Sequence, residues 1–209
     1  MVKKERYQST IGAIYSKNES FFALSAMIFL ISLFVGYLHL LDFYLAPLAQ
    51  QLKRSVAQGD IKLTTLSLFA NNIRIMLYIY GGGIFLGVFT AAFLFINGSF
   101  LGYFATQVPL GDFILLTAPH GIFEILSLII AGGAGFRLAS FMYKFINGMI
   151  NETWYGSFLS KIKYVFNEHI EDVKDSLIIM AIAIVLLFIA AVIEANFTLG
   201  IYHYITSSV

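Results

Sequence analysis

The chain contains no cysteine and few charges. The absence of cysteine from all 209 residues excludes disulfides and thiolate metal sites, and it leaves the redox compartment open. Only 12% of the residues are charged, against about 25% in ordinary soluble domains. The 13 lysines and arginines nearly balance the 12 aspartates and glutamates, and a net charge of +1 argues against a nucleic-acid partner. The periodic repeats of solenoid proteins are also absent.

The residues that are present are mostly apolar. The hydrophobic fraction is 59% and the mean hydropathy is +0.82, which indicates an integral membrane protein. Residues 1–19 are polar and basic, and the first apolar run starts only near Ser20. This run is too long for the apolar core of a signal peptide, and no small-residue cleavage site follows it. We therefore expect 1–19 to be a cytoplasmic N-terminal segment.

Five apolar runs are each long enough for a bilayer core, which takes about 20 helical residues. They predict an all-α membrane protein, a single helical domain over 20–200 with spans at 20–41, 73–96, 99–118, 121–143 and 176–197. Two polar stretches interrupt the series. Segment 42–72 has leucines at helical spacing, and segment 144–175 mixes lysines with aromatics. Both are typical of amphipathic helices at the membrane interface.

The segment 99–118 could cross the membrane or re-enter it, because Pro109 and Gly111 interrupt it and Pro119 and Gly121 follow. We predict helix breaks at these four residues. With five spans and a cytoplasmic N-terminus, eight basic residues lie inside: Lys3, Lys4, Arg6, Lys17, Lys144, Lys161, Lys163 and Lys174. Three lie outside: Lys53, Arg54 and Lys62. Re-entry would leave four inside and seven outside, so the positive-inside rule favours five spans in a multi-pass protein of the cell membrane.

Glycines in the apolar runs predict close helix packing. Gly83 and Gly87 form a small-xxx-small pair, which lets a neighbouring helix approach closely. The same role is predicted for Gly98, Gly102, Gly132 and Gly135. The Gly83 and Gly87 pair would face another helix of the bundle or of a homodimer.

Polar residues from three spans fall at one depth, the outer end of the predicted bundle. His120 and Glu124 are four residues apart and share a helical face. Asn72 and Arg74 begin the second span there, and Glu194 ends the fifth. One arginine for two carboxylates predicts an ion pair and a second carboxylate that is shared or protonated. We expect no comparable set at the opposite ends. The alternative is a hydrated helix end with no function.

In their order and spacing these residues resemble the stage II sporulation protein M family of multi-pass membrane proteins. The matching residues, over about 20–200, are Asn72, Asn97-Gly98 with Gly102, Pro119-His120-Gly121 with Glu124, Gly132, Gly135, and Glu194 with Thr198. The resemblance implies a polytopic helical fold. Members in spore-forming bacteria work in a membrane complex that remodels peptidoglycan during engulfment, and relatives occur in organisms that form no spores. It implies no reaction for His120 or Glu124.

Three functions are compatible with the sequence. The first is a non-enzymatic membrane scaffold or complex subunit linked to envelope remodelling, whose partners are lipid, other membrane proteins or a second copy of the chain. The second is a transporter or channel for a small solute or ion, because interrupted helices and buried carboxylates form such sites. The third is a metallohydrolase, but His120 and Glu124 give two ligands where catalytic zinc takes three. We therefore predict no metal site and no cofactor.

Overall fold

The computed structural model describes residues 2–58 and 64–198. Within these ranges the chain is helical, without strands, as the all-α prediction requires. The helices are α1 (Val2–Tyr37), α2 (Asp42–Ala57), α3 (Thr65–Gly81), α4 (Val88–Phe104), α5 (Leu110–Asn151), α6 (Phe158–Glu168) and α7 (Ile170–Ile193). A 3₁₀ turn, Gly82–Phe85, joins α3 to α4, and a π-helical turn, Glu194–Thr198, follows α7. Lys62 of the charge count and the tail from residue 199 lie outside the described residues.

Three helical segments are long and apolar enough to cross a bilayer: Gly12–Tyr37 in α1, Thr117–Asn151 in α5 and Ile170–Asn196 from α7 into the π-helical turn. Helix α4 is apolar but shorter, at 17 residues. Helix α3 also has 17 residues and carries Asn71, Asn72 and Arg74. The chain is therefore a membrane protein, while the number of five crossings stays a prediction.

The turns in the middle of the chain lie elsewhere than the sequence predicts. The predicted span 73–96 is interrupted, because α3 ends at Gly81 and α4 begins at Val88. Asn97 and Gly98, which separate the predicted spans 73–96 and 99–118, lie inside α4. Gly87 explains the difference, because its φ of +82° is a left-handed conformation that glycine adopts without the steric cost of a side chain. Gly98 packs beneath α1, where a Cβ would overlap Ser32 Oγ and the Phe29 carbonyl.

The other predicted breaks are also divided differently. Residues 105–109 separate α4 from α5, and Pro109 caps the start of α5. Gly111 lies in the first turn of α5, whereas Pro119 and Gly121 lie inside this 42-residue helix and do not end it. A proline inside a membrane helix is tolerated when neighbouring groups satisfy the freed carbonyl. The start of the predicted span 99–118 thus belongs to the end of α4. Its last part, 110–118, and the whole predicted span 121–143 belong to α5.

Pairs of contacts give the relative directions of the helices. Helix α3 runs parallel to α5, because Asn72 meets Glu124 and Ile79 meets Gly135. Helix α4 runs antiparallel to α5, since Thr90 lies against Gly135 and Leu94 against Gly132. Helix α1 is antiparallel to α5, because Phe22 lies against Gly133 and Ser25 bonds to the Ile129 carbonyl. Helix α7 is also antiparallel to α5, because Asp172 near its start meets Arg137 and Glu194 at its end lies beside Glu124. Five helices therefore alternate in direction within one bundle.

The core is a continuous apolar cluster between these five helices. Its fully buried members include Phe29, Met76, Ile79, Leu94, Ile179 and Leu187. Small residues keep the backbones close: Gly132 packs against Leu94, and Gly102 packs against the Leu33 carbonyl of α1. In a membrane, where lipid is as apolar as the core, such close packing supplies much of the association energy.

The two amphipathic stretches each form a short helix beside the bundle. Helix α2 buries Leu45 and Ala49 against Tyr103 of α4. Helix α6 lies against the end of α5, where Lys161 Nζ donates to the Met149 carbonyl at 2.9 Å and to the Glu152 carbonyl at 2.6 Å. A lysine at a helix C-terminus satisfies carbonyls that have no partner in the helix. The first part of 144–175 belongs to α5, which continues to Asn151.

Candidate functional site

His120, Glu124 and Glu194 come together where α5 begins and α7 ends. One ligand atom of each, a ring nitrogen or a carboxylate oxygen, lies within 4.8 Å of the others. His120 and Glu124 are one helical turn apart on α5, and Glu194 opens the π-helical turn after α7. Such turns inside helices often occur at functional sites. Glu124 and Glu194 are both partly buried.

Helix α3 supplies a fourth member of this site. Asn72 Nδ2 donates to Glu124 Oε1 at 2.9 Å. Asn196 makes a second link between α3 and the end of α7. Its Nδ2 donates to the Val192 carbonyl at 2.8 Å and to Thr65 Oγ1 at 3.4 Å. We call Asn72, His120, Glu124 and Glu194 the carboxylate cluster. It joins α3, α5 and the end of α7.

Arg74 does not belong to the carboxylate cluster, contrary to the predicted ion pair. Its side chain is exposed, and no ion pair joins it to either carboxylate in the described part of the chain. The cause is helical geometry. Residues two apart on an α-helix differ by about 200° in direction. Since Asn72 points towards Glu124, Arg74 points away from it.

A cavity of about 170 Å³ adjoins the carboxylate cluster, and Glu124 forms part of its wall. Phe29 of α1, Phe100 and Phe104 of α4, and Thr117 of α5 line it together with Asn97. One side of the partly buried Glu124 carboxylate therefore faces a mostly apolar cavity.

The expectation that the opposite end of the bundle carries no comparable polar set is wrong, because a second polar group lies there. Arg137 Nη2 donates to Asp172 Oδ1 at 2.7 Å and to Asp175 Oδ2 at 3.1 Å. Lys17 Nζ pairs with Asp175 at 2.6 Å, and Lys144 Nζ pairs with Asp172 at 2.7 Å. We call these five residues the arginine network. It joins α1, α5 and α7.

The arginine network had two signals in the sequence. Arg137 stands near the end of an apolar run, where an unpaired charge is costly. Asp172 and Asp175 are three residues apart and share one face of the helix that starts α7. Sequence reasoning missed the pairing because it assigned both aspartates to a polar interfacial segment instead of to the spanning helix.

An apolar layer separates the two polar groups. Glu124 and Arg137 are thirteen positions apart on α5, roughly 20 Å at 1.5 Å per residue. The buried cluster between them contains Met76, Leu94, Leu128 and Ile179. Two buried hydroxyls at this depth donate to backbone carbonyls: Thr90 Oγ1 to Ile79 at 2.8 Å and Ser25 Oγ to Ile129 at 2.7 Å. Among the described residues no charged side chain is buried within this layer.

The six glycines predicted to pack lie at close helix contacts. A Cβ at Gly83 would overlap the Gly135 carbonyl, and one at Gly87 would lie 3.1 Å from Phe136 Cδ1. The partner helix of both is α5, although both belong to the α3–α4 turn and not to one continuous helix.

Comparison with known proteins identifies the family. The family model "Stage II sporulation protein M" matches residues 25–199. An uncharacterized protein of Methanocaldococcus jannaschii is 33% identical over 151 residues, covering 70% of this chain and 77% of the relative. A second uncharacterized protein of that organism is 24% identical over 198 residues, covering 88% and 84%. No solved structure matches. The chain belongs to the stage II sporulation protein M family.

Proposed function

We propose that this protein is a non-enzymatic subunit of a membrane complex that docks a transmembrane helix of a partner protein. The observation that carries the proposal is an apolar groove of about 530 Å³ between α1, α5 and α7. Ala23 and Ala26 of α1 line it together with Ile130 of α5 and Ile182 of α7. Small residues on a helix face allow a second helix to approach closely.

A carboxylate at one end of the groove favours a protein helix over lipid as its occupant. Glu19 lines the groove, is exposed, and pairs with no lysine or arginine of the described residues. It lies two residues after Lys17 of the arginine network, hence at the same end of the bundle. Anionic lipid headgroups would be repelled there. A transmembrane helix carries lysine or arginine at its cytoplasmic end, and such a residue complements Glu19.

The proposal includes five crossings with the N-terminus in the cytoplasm. The observed turns, 82–87 and 105–109, leave the number of lysines and arginines on each side of the membrane unchanged, because neither segment contains one. The asymmetry of eight inside and three outside therefore supports this orientation as before. It would place the arginine network and Glu19 on the cytoplasmic side. The link to envelope remodelling rests on the family alone.

The structure supports transport less well than docking. A permeating ion needs polar groups along its path. Here the layer between the two polar groups is filled by side chains such as Met76, Leu94 and Leu187. This layer argues for a structural or docking role.

Photo-crosslinking tests the groove. A photoreactive residue at Ala23 should form an adduct with one defined transmembrane protein, whereas the same residue at Val185, exposed outside the groove, should label lipid only. Glu19→Lys should lower the yield at Ala23, and reversing the partner's juxtamembrane charge should restore it. An adduct between two copies of this chain would identify a homodimer. Equal labelling at both positions, or no effect of Glu19→Lys, would contradict the proposal.

A further inference from the structure

The carboxylate cluster has the composition of a metal site. His120 offers a ring nitrogen, and Glu124 and Glu194 each offer a carboxylate oxygen, all within 4.8 Å of one another. Imidazole suits zinc and similar transition metals, and carboxylates suit these and manganese. Three protein ligands are the usual number at a zinc site that keeps one position open. Glu194 supplies the third ligand that the sequence alone left undecided.

The charges around the cluster require a cation or a proton. Two carboxylates lie close together at membrane depth, and no lysine or arginine forms an ion pair with either of them in the described ranges. Arg74, the basic residue nearest in sequence to Asn72, points away. Burying negative charge without compensation is strongly unfavourable. A divalent cation between Glu124 and Glu194 would neutralise both at once.

The surroundings position the ligands and provide access. Asn72 Nδ2 holds Glu124 Oε1 at 2.9 Å, and a carboxylate bonded in this way has its second oxygen available for a metal. Such outer hydrogen bonds orient metal ligands and tune their affinity. The 170 Å³ cavity that Glu124 lines gives space for water beside this carboxylate. Both features are additional to the three proposed ligands His120, Glu124 and Glu194.

We propose that His120, Glu124 and Glu194 bind one divalent transition-metal ion, of the Zn²⁺ or Mn²⁺ class, where α3, α5 and α7 meet. Ligand atoms of a tetrahedral zinc site lie about 3.3 Å apart, given metal–ligand bonds of about 2.0 Å. The three ligand atoms lie within 4.8 Å of one another, so binding would bring them at most about 1.5 Å closer. The ion would tie the end of α7 to α5. The inference goes beyond the docking function and does not depend on it.

Metal analysis of the purified full chain tests the inference. The protein in detergent is stripped with EDTA and dialysed against Zn²⁺ or Mn²⁺, and bound metal is measured by mass spectrometry. We expect about one ion per chain. Glu124→Gln and Glu194→Gln should each weaken binding at least about tenfold, and Asn72→Ala by roughly 10–100-fold. Glu168→Gln, which removes an exposed carboxylate of α6 outside the cluster, should bind as the unmodified protein does.

A second measurement covers variants that fail to fold. Adding Zn²⁺ or Mn²⁺ to the stripped, unmodified protein should raise its Tm, because a ligand that binds the folded state stabilises it. Mg²⁺, which prefers oxygen ligands alone, should raise it less. No bound Zn²⁺ or Mn²⁺ above background, an unchanged Tm, or glutamine variants that bind as tightly as the unmodified protein would each overturn the inference. In those cases a proton is what the two carboxylates share.

Discussion

Arg137 is the most constrained charged residue in the bundle. Its side chain is 7% exposed, beside Asp172 at 9% and Asp175 at 12%. Its guanidinium also lies over the Phe21 ring, 5.9 Å from the centroid. Buried ion pairs add little stability compared with apolar residues, but removing one partner strands the other charge. Arg137 therefore fixes how α7 docks on α5 more than it adds net stability.

Replacing this arginine should destabilise the protein. Arg137→Leu leaves Asp172 with Lys144 and Asp175 with Lys17. Breaking a fully buried ion pair costs roughly 3–5 kcal/mol of the free energy of unfolding. Because both lysines are nearly half exposed and still neutralise the aspartates, we expect a loss near the lower end of this range. Thermal unfolding in detergent measures it.

Arg74→Leu is the matched control, since Arg74 is exposed and forms no ion pair with the described residues. Its Tm should stay close to that of the unmodified protein. Equal melting of the two leucine variants would contradict the structural role of the arginine network.

Helical periodicity predicts the part of the carboxylate cluster that lies on a single helix. His120 and Glu124 are four apart, so their shared face followed from the sequence. Depth counting brought Glu194 near them, and the structure places it beside them. Depth alone also places Arg74 there, but its side chain differs from that of Asn72 by about 200° in direction around α3. The arginine network was missed because helix boundaries place Asp172 and Asp175 inside α7 and not in a loop.

The turn between α3 and α4 shows how one glycine sets an element boundary. Leu86 has a φ of 55° and Gly87 one of +82°, so two successive residues are left-handed. The chain reverses there, and α4 returns along α5. The sequence shows several glycines close together but does not distinguish a packing face from a turn. The answer depends on the tertiary contact of Gly87 with Phe136 and Ala139.

Gly87→Ala should therefore be destabilising. A side chain at positive φ costs roughly 1–2 kcal/mol, and the new Cβ would lie 3.1 Å from Phe136 Cδ1. Gly81→Ala is the matched control, because Gly81 has a φ of −62° and open space around its Cβ position. Alanine in a helical conformation gains roughly 0.5–1 kcal/mol over glycine. Thermal unfolding should rank Gly81→Ala at or above the unmodified protein and Gly87→Ala below it; the reverse order would refute the strained turn.

Five helices run between two polar groups at opposite ends of one apolar layer. The family and the helical class were recognisable from the sequence because neither the apolar runs nor the order of the motifs depends on where each helix begins and ends. The positions of the turns were not, because they depend on which glycine contacts which helix. The basic residues lie outside the shifted segments, so the predicted orientation is the same with either set of turns.

The most direct measurement is the side of the membrane reached by the α3–α4 turn. Because the chain has no cysteine, single cysteines can be placed at Phe85, Gln107 and Tyr155, all exposed, and labelled with a membrane-impermeant maleimide. We predict that Phe85→Cys and Tyr155→Cys react from the cytoplasmic side, in inverted vesicles, and that Gln107→Cys reacts from the outside. Labelling of Phe85→Cys from the side of Gln107, or from neither side, would contradict five crossings.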